Sequence, residues 1–268
     1  MKRGIMDKPV NEQNITRFSG FSDLYNGSRP VPPAIIPRII GLYLTGAPGL
    51  VVDIGSGTGL SALIWADRAE RVVGIEPNDD MRAEAEKNTR SDRVTYQKGH
   101  SNDTGLAGRC ADLVTVSQAF HWMDIGSTLA EIDRILKPGG VLAIYDCDWP
   151  PSVDWVIEKA WRELRDKCDN ICAAGERHAV RNDKNSYIDR LTAFGRFRFT
   201  REAVCHSAEP CTPGRLIGLA LSQGGIQDAL KLDPAVKADI DAYRDLVNTR
   251  CPGEFEIVFS YRLRIAVK

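Results

Sequence analysis

Three side chains that could do chemistry stand near the ends of apolar segments. Asp53 lies near the end of the run 50–54, and Glu76 directly follows the run 71–75. His121 follows a third apolar run and precedes a tryptophan. Ligands of open parallel sheets bind beyond the carboxyl ends of the strands, so we expect all three side chains at one crevice. A carboxylate there can accept hydrogen bonds from hydroxyl or cationic groups. An imidazole with a pKa of about 6.5 suits a general base, and the alternative for His121 is a role only as a wall of the pocket.

A glycine-rich segment separates the first strand from the next helix. Gly55, Gly57 and Gly59 follow the pattern G-x-G-x-G, and Asp53 stands two residues before the first of them. Glycines let the backbone pass close to a ligand because they carry no Cβ. The dinucleotide fingerprint has the longer spacing G-x-G-x-x-G, and an acid at this place disfavours a pyrophosphate. The pattern therefore indicates a cofactor turn of another kind.

The segments around these residues alternate between strand and helix patterns. Apolar strand-like runs are each followed by helical spacing, which predicts an α/β protein with a doubly wound sheet. Predicted helices cover 34–44, 60–69, 78–88, 125–136, 152–168, 183–194, 212–222 and 233–247, and predicted strands cover 50–54, 71–75, a short segment from 93, 113–116, 141–146, 196–200 and 255–267.

Two local details complete this pattern. The sequence Lys137-Pro138-Gly139-Gly140 predicts a turn between a helix and the fifth strand. Ser152 or Asp154 is a candidate N-cap for the helix that follows, with Trp155 and Trp161 as its apolar anchors.

Composition narrows the class of partner. The formal net charge is -1, which provides no electrostatic footprint for nucleic acid or anionic lipid and favours small-molecule or peptide substrates. No apolar run approaches the roughly 18 residues of a membrane-spanning helix, and the first residues lack the apolar core of a signal peptide. We therefore expect a cytoplasmic enzyme that does not bind membranes.

The seven cysteines are expected to remain thiols. Their number is odd, and no C-x-x-C pair occurs. Cys168 and Cys172 would share a helix face, and Cys205 and Cys211 flank His206, so a zinc site is conceivable. Reduced thiols without a metal are the preferred interpretation.

The first two strand ends carry a family resemblance. The segments V-V-D-I-G-S-G-T-G and V-V-G-I-E-P resemble those of class I S-adenosylmethionine-dependent methyltransferases. The resemblance implies that the glycine turn cradles the methionine and ribose parts of the cofactor, and that the second acid accepts the ribose hydroxyls. The cofactor residues it implies here are Asp53, Gly55, Ser56, Gly57, Gly59, Glu76 and Pro77.

Three further segments extend the resemblance. Y-x-x-x-R-P is similar to the N-terminal segment of methyltransferases related to trans-aconitate methyltransferase, which implies cofactor or substrate contacts for Tyr25 and Arg29. The segment D-L-V-T-V-S-Q-A-F-H-W-M-D resembles the fourth-strand motif of that group and of the ubiquinone and menaquinone methyltransferases. In the family the third strand end contacts the adenine. In the fourth-strand motif, the resemblance implies Ser117 and Gln118 for the cofactor and His121 for catalysis. After the third strand, it implies Ser101, Asn102 or Asp103 for the adenine.

The resemblance also implies an architecture. It is a Rossmann-like, doubly wound, seven-stranded, mostly parallel sheet with an antiparallel last strand and a helical cap. Residues 1–17 are expected to be flexible, and residues 18–268 to form one methyltransferase domain. Cap insertions are expected at about 152–193 and 206–248.

The leading hypothesis is methyl transfer from S-adenosylmethionine to a small-molecule acceptor, by a monomer or a homodimer. The methylated atom, O, N or C, stays open. A small carboxylic acid is the first candidate, since Arg29 or a cap arginine could clamp a carboxylate. A non-catalytic S-adenosylmethionine-binding protein with a regulatory or partner-binding role is the alternative. An NAD-dependent oxidoreductase would need the longer glycine spacing.

Overall fold

A seven-stranded mixed sheet forms the centre of the protein. The computed structural model describes residues 14–15, 26–175 and 181–268. The strand order is β3-β2-β1-β4-β5-β7-β6, in which β1 to β5 pair in parallel and β7 is antiparallel to both of its neighbours. The predicted fold class, including the antiparallel last strand, is confirmed. The strands are β1 (Leu50–Ile54), β2 (Arg71–Ile75), β3 (Val94–Gln97), β4 (Ala111–Ser117), β5 (Leu136–Cys147), β6 (Phe199–Cys211) and β7 (Phe255–Val267).

Both faces of the sheet are covered. All five residues of β1 are buried, as expected for a strand at the centre of a parallel sheet. Val51 packs into one hydrophobic core and Val52 into the other, because successive side chains of a strand point to opposite faces. The covering helices are α1 (Ile35–Gly41), α2 (Leu60–Leu63), α3 (Asp79–Asn88), α4 (Ile125–Ile135), α5 (Trp155–Ala174), α6 (Tyr187–Phe194), α7 (Pro213–Leu221), α8 (Gly224–Leu232) and α9 (Val236–Arg250).

Helix α2 is much shorter than the predicted span 60–69. After Leu63 the chain continues in tighter turns, in which Trp65 and Arg68 donate to carbonyls three residues back. The apolar spacing was nevertheless informative, since Trp65 and Ala69 are buried. The tightening brings Arg71 to β2, where its N–H bonds Gly49 O.

The turn predicted at 137–140 does not separate the helix from the fifth strand, because β5 already begins at Leu136. Its pairing with β4 jumps from Ala111↔Leu136 to Leu113↔Val141, so the extra residues form an irregularity inside the strand. Gly139 takes the left-handed conformation there, with a φ of 80°.

The segment after β5 differs from prediction in three places. The strand predicted at 196–200 runs over Phe199–Cys211, because it pairs along its whole length with β7 while much of its outer surface is exposed and polar. Helix α8 begins at Gly224, where the sequence suggested only a break. Trp155 is 74% exposed and anchors nothing, whereas Trp161 is fully buried.

The described residues contain neither a membrane-spanning helix nor a cluster of metal ligands. Among residues 14–15, 26–175 and 181–268, no helix is long and apolar enough to cross a membrane. Within the same part of the chain, no cluster of histidine, cysteine and acidic residues could hold a metal ion. All seven cysteines are free.

Candidate active site

The glycine turn after β1 has the conformation that its glycines allow. Gly55, Gly57 and Gly59 have φ values of 70°, 54° and 88°, which side chains with a Cβ rarely adopt. A Cβ on Gly55 would lie 2.7 Å from the Cβ of Ala119, and one on Gly59 would collide with the Tyr96 hydroxyl. A Cβ on Gly57 would meet no atom of the described residues within 4 Å. The turn is therefore packed against the protein on one side and open on the other.

Asp53 stabilises the glycine turn from the buried side. Its buried carboxylate accepts hydrogen bonds from Ser61 Oγ at 2.5 Å and from Thr115 Oγ1 at 2.7 Å. These bonds tie β1 to helix α2 and to β4, the two elements that flank the turn. Burial raises the pKa of Asp53 to about 6, and the two hydroxyl donors oppose that rise.

Glu76 connects the ends of β1 and β2. Its Oε2 accepts from the N–H of Gly57 and its Oε1 from the N–H of Asn78, both at 2.9 Å. Burial raises the pKa of Glu76 to about 7, and the two backbone donors and Arg82 act against this rise. The side chain of Asn78 in turn caps α3 by accepting from the N–H of Met81.

An inner cavity opens beside the turn. Its space, counted out into open solvent, is about 520 Å³, and it lies between the glycine turn, the ends of β4 and β5, the segment 29–32 and strand β7. The residues that line it are Arg29, Pro30, Pro32, Gly55, Ser56, Gly57, Thr58, Leu60, Ser61, Ser117, Gln118, Cys147, Trp149 and Tyr261.

Six of the predicted cofactor residues therefore meet at the inner cavity: Arg29, Gly55, Ser56, Gly57, Ser117 and Gln118. Asp53, Gly59, Glu76 and Pro77 belong to the surrounding turn and strand ends but are not among its lining residues. Tyr25 lies outside the described residues.

Ser101 and Asn102 stand apart from the inner cavity. They lie in a tight turn closed by mutual backbone bonds of His100 and Asp103. The Ser101 hydroxyl lies 2.8 Å from that of Thr128 on α4. Their adenine contact stays a prediction.

Gln118 has an unusual backbone for a residue with a side chain. Its φ is 52°, and its N–H donates to Tyr145 O at 3.0 Å. The side chain reaches across the strand ends, with Nε2 2.7 Å from Cys147 Sγ and Oε1 3.4 Å from Lys184 Nζ. Backbone conformations of this kind are costly and cluster at functional sites.

His121 lies beside a buried carboxylate. It belongs to the short helix Phe120–Trp122, and its Nδ1 is 3.8 Å from Asp146 Oδ1 at the end of β5. Asp146 also pairs with Lys184 Nζ at 2.9 Å and with the buried Arg264 at 3.4 Å. A carboxylate next to a histidine can fix the orientation of its ring.

An outer cavity adjoins the inner one. It is wider and more open, with a space of about 1150 Å³ counted out into open solvent, and it shares Arg29, Gln118, Cys147 and Trp149 with the inner cavity. Its other lining residues are His121, Trp122, Asp148, Arg165, Arg181, Asn182, Asp183, Lys184, Gln223 and Gly224.

The rim of the outer cavity is fastened to the His121 helix. Asn182 donates its N–H to His121 O at 2.9 Å and its Nδ2 to Met123 O at 2.8 Å. The Arg181 guanidinium lies 4.9 Å from the ring centre of Trp122. These contacts place a segment that is distant in sequence directly over the ends of β4 and β5.

Sequence reasoning missed part of this site. Asp146 ends an apolar strand just as Asp53 and Glu76 do, so the same rule could have found it. Arg165, Arg181 and Lys184 carried no local signal, because tertiary packing alone brings them to the cavity.

The residues present fit an adenosyl cofactor with an amino-acid part. The hydroxyls of Ser56 and Thr58 are buried at the turn and have no hydrogen-bond partner among the described residues, so they can serve a ligand. The space above Gly57 admits a ligand close to the backbone. Together with the sheet order and the two strand-end acids, this site defines the class I S-adenosylmethionine-dependent methyltransferases.

Comparison with known proteins agrees with this class. Residues 52–144 match the family described as "Methyltransferase domain". A Dictyostelium discoideum protein named as a methyltransferase is 30% identical over 129 residues, 48% of either chain. The malonyl-[acyl-carrier protein] O-methyltransferase of Pectobacterium atrosepticum is 30% identical over 127 residues, 47% of either chain. The chain thus spans about half the length of these curated relatives.

Solved structures share the fold. A structure from Anaeromyxobacter dehalogenans, titled as a type II methyltransferase, superimposes with a TM-score of 0.67 at 21% identity, covering 89% of this chain and 97% of that one. A geranyl diphosphate C-methyltransferase from Streptomyces coelicolor superimposes with a TM-score of 0.54 at 16% identity, covering 97% and 98%.

Residues 52–144 therefore carry a methyltransferase domain, in agreement with the class I S-adenosylmethionine-dependent methyltransferases that the strand-end motifs predicted. The predicted cofactor, S-adenosylmethionine, is confirmed for this domain. Bound there, it supplies an electrophilic methyl group on a sulfonium.

Proposed function

We propose that this protein methylates a small organic acid on a carboxylate oxygen. The observation that carries the proposal is the outer cavity, which adjoins the cofactor cavity and is rich in cations. Four of its lining residues, Arg29, Arg165, Arg181 and Lys184, are basic, and two, Asp148 and Asp183, are acidic. The lining of this cavity thus has two more basic than acidic residues, in a chain with a net charge of -1.

The cations are held in place by packing and ion pairs. Arg29 lies 4.7 Å from the ring centre of Trp149 and donates to Ser222 O at 3.0 Å. Lys184 pairs with Asp146, and Arg181 stacks on Trp122. Guanidinium groups held in this way can receive a carboxylate through two parallel hydrogen bonds.

Methyl transfer to a carboxylate needs little from the protein beyond positioning and exclusion of water. The carboxylate is already ionised at neutral pH, so no general base is required. Gln118 and Cys147 belong to both cavities and mark where the acceptor and the cofactor meet. Trp122 and Trp149 supply apolar walls beside this junction.

A hydroxyl acceptor is the second candidate, and one contact favours it. His121 lines the outer cavity with Asp146 beside its Nδ1, so its other ring nitrogen could take a proton from a hydroxyl. A non-catalytic binding protein is not favoured, since it would need no open second cavity next to the cofactor.

The first experiment is calorimetry with S-adenosylmethionine, S-adenosylhomocysteine and NAD. The proposal requires binding of the first two and not the third. The protein is then incubated with methyl-labelled S-adenosylmethionine and a panel of small mono-, di- and tricarboxylic acids, with the corresponding alcohols and amides as matched controls. Label in base-labile esters supports the proposal, whereas label only in ethers or amines contradicts it.

A further inference from the structure

One buried hydroxyl in the wall of the inner cavity belongs neither to the glycine turn nor to the acids that hold it. Tyr261 lies on β7, where it pairs in register with Cys147 of β5 and Cys205 of β6. The residue is 2% exposed and lines the inner cavity, yet its hydroxyl has no hydrogen-bond partner among the described residues. A buried polar group without a partner is costly and rare, so its place in a cavity wall points to a ligand that satisfies it.

The surroundings of Tyr261 narrow the choice of ligand group. The hydroxyl stays protonated at neutral pH because burial raises the pKa of Tyr261. It can therefore donate a hydrogen bond to an acceptor on the ligand. Arg29 lines the same cavity and adds positive charge there, which favours an anionic acceptor. In S-adenosylmethionine the one anionic group is the carboxylate of the methionine part.

We propose that the Tyr261 hydroxyl donates a hydrogen bond to the methionine carboxylate of the bound cofactor. The antiparallel strand β7 then contributes to cofactor binding, beside the glycine turn and the ends of the parallel strands. This inference depends on the cofactor alone and stands whichever acceptor the protein methylates.

The test compares two ligands and two variants by calorimetry. The ligands are S-adenosylmethionine and its decarboxylated analogue, which lacks only the carboxylate. The variants are Tyr261→Phe and, as a matched control, Tyr243→Phe. Tyr243 is also buried with an unpartnered hydroxyl among the described residues, but it packs on Trp161 and lines neither cavity.

Tyr261→Phe is expected to weaken S-adenosylmethionine binding about tenfold or more, the range for a hydrogen bond to a charged group. Binding of the decarboxylated analogue should be unchanged, and Tyr243→Phe should alter neither affinity. The melting temperature of each unliganded variant should not fall below that of the parent protein, since neither hydroxyl has a partner there to lose.

Three results would overturn the assignment. Unchanged affinity of Tyr261→Phe for S-adenosylmethionine would mean that the hydroxyl does not touch the cofactor. An equal loss for both ligands would place the contact elsewhere on the cofactor. A loss shared by Tyr243→Phe would indicate a general effect of removing a core hydroxyl. If neither ligand bound the parent protein at all, the cofactor assignment itself would fail, which is a different outcome from these three.

Discussion

Nδ1 of His121 lies 3.8 Å from Oδ1 of Asp146, at the point where the ends of β4 and β5 face the outer cavity. Substitution of His121 therefore distinguishes a carboxylate acceptor from a hydroxyl acceptor. A general base typically contributes a factor of about 10² to 10⁴ to the rate, whereas a carboxylate acceptor needs none.

We expect His121→Ala to keep turnover within about tenfold of the parent enzyme, because a base would contribute about 10² or more and a carboxylate acceptor does not use one. Turnover is measured with saturating acceptor, and cofactor affinity by calorimetry. His206→Ala is the control, since His206 lies on the exposed face of β6 beside Ser260. A hundredfold loss with unchanged cofactor affinity would instead support a hydroxyl acceptor and His121 as its base.

Removing either strand-end acid should weaken cofactor binding. Glu76→Ala leaves the N–H groups of Gly57 and Asn78 without their acceptor, and Asp53→Ala does the same to two buried hydroxyls. Each change should cost about 1–3 kcal/mol of binding free energy, because the groups left unpaired no longer order the glycine turn for the cofactor. Asp79→Ala, at an exposed acid near Glu76, is the control. Calorimetric affinities that stay unchanged in both variants would refute the role of Asp53 and Glu76 in cofactor binding.

Glu76 should also make stability depend on pH. Burial raises its pKa from an ordinary 4.5 to about 7. Below pH 4.5 the carboxyl is protonated in both the folded and the unfolded chain. Between pH 4.5 and 7 the unfolded chain releases the proton first, so the free energy of unfolding falls as the pH rises, by up to about 3 kcal/mol in total. Above pH 7 this slope ends.

Urea unfolding of the parent protein and of Glu76→Gln, measured from pH 4.5 to 8, checks this slope. The variant should lose most of the decline over this range. Asp53 remains in both proteins, and its pKa of about 6 accounts for the part of the decline that persists up to that pH. Superimposable profiles would contradict the assigned role of Glu76.

Arg165 and Arg162 offer a matched test of the outer cavity. Both lie on α5, but only Arg165 lines the cavity, while Arg162 faces Glu158 at 3.7 Å on the surface. For an acidic acceptor, Arg165→Ala should raise KM about tenfold with little change in kcat, the cost of a lost charged hydrogen bond. Arg162→Ala should leave KM unchanged. Equal effects of the two substitutions would mean that Arg165 does not meet the acceptor.

Two tryptophans of α5 should differ sharply in their effect on stability. Trp161 is fully buried and packs against Trp149 and Tyr243, with ring centres 6.0 and 6.2 Å away. Trp161→Ala should lower the free energy of unfolding by about 3–5 kcal/mol, as expected for a large cavity in a core. Trp155→Ala, at a 74% exposed position, should change it by less than about 0.5 kcal/mol. Urea unfolding of both variants tests this contrast.

The cofactor half of the site was predictable because its chemistry is local in sequence. Asp53, the glycines and Glu76 each follow directly from a strand pattern, and the rule that strand ends share one sheet edge brings them together. The register of β1 with β2 and β4 realises this rule, with Asp53 opposite Gly74 and Thr115. Runs of apolar residues also predicted the central strands.

The outer cavity was not predictable in the same way. Lys184 reaches Asp146 across 38 residues of sequence, and Arg264 reaches it from β7, so no local pattern reports either contact. Trp155 and Trp161 look alike in a helical pattern, and only the packing of α5 against α8 and α9 distinguishes them. Gly224 and Gly225 indicated a break, yet both are buried in the first turn of α8.

The glycine turn and most of the outer cavity come from different parts of the chain, and this separation has an evolutionary consequence. Apart from the four shared residues, His121 and Trp122, the outer cavity is built from 148, 165, 181–184 and 223–224, all of which follow β5. The glycine turn and the strand-end acids all precede it. Substitutions in the later segment can therefore change which molecule is accepted while the cofactor cradle stays intact. New specificities can arise on this scaffold without passing through forms that have lost the methyl donor.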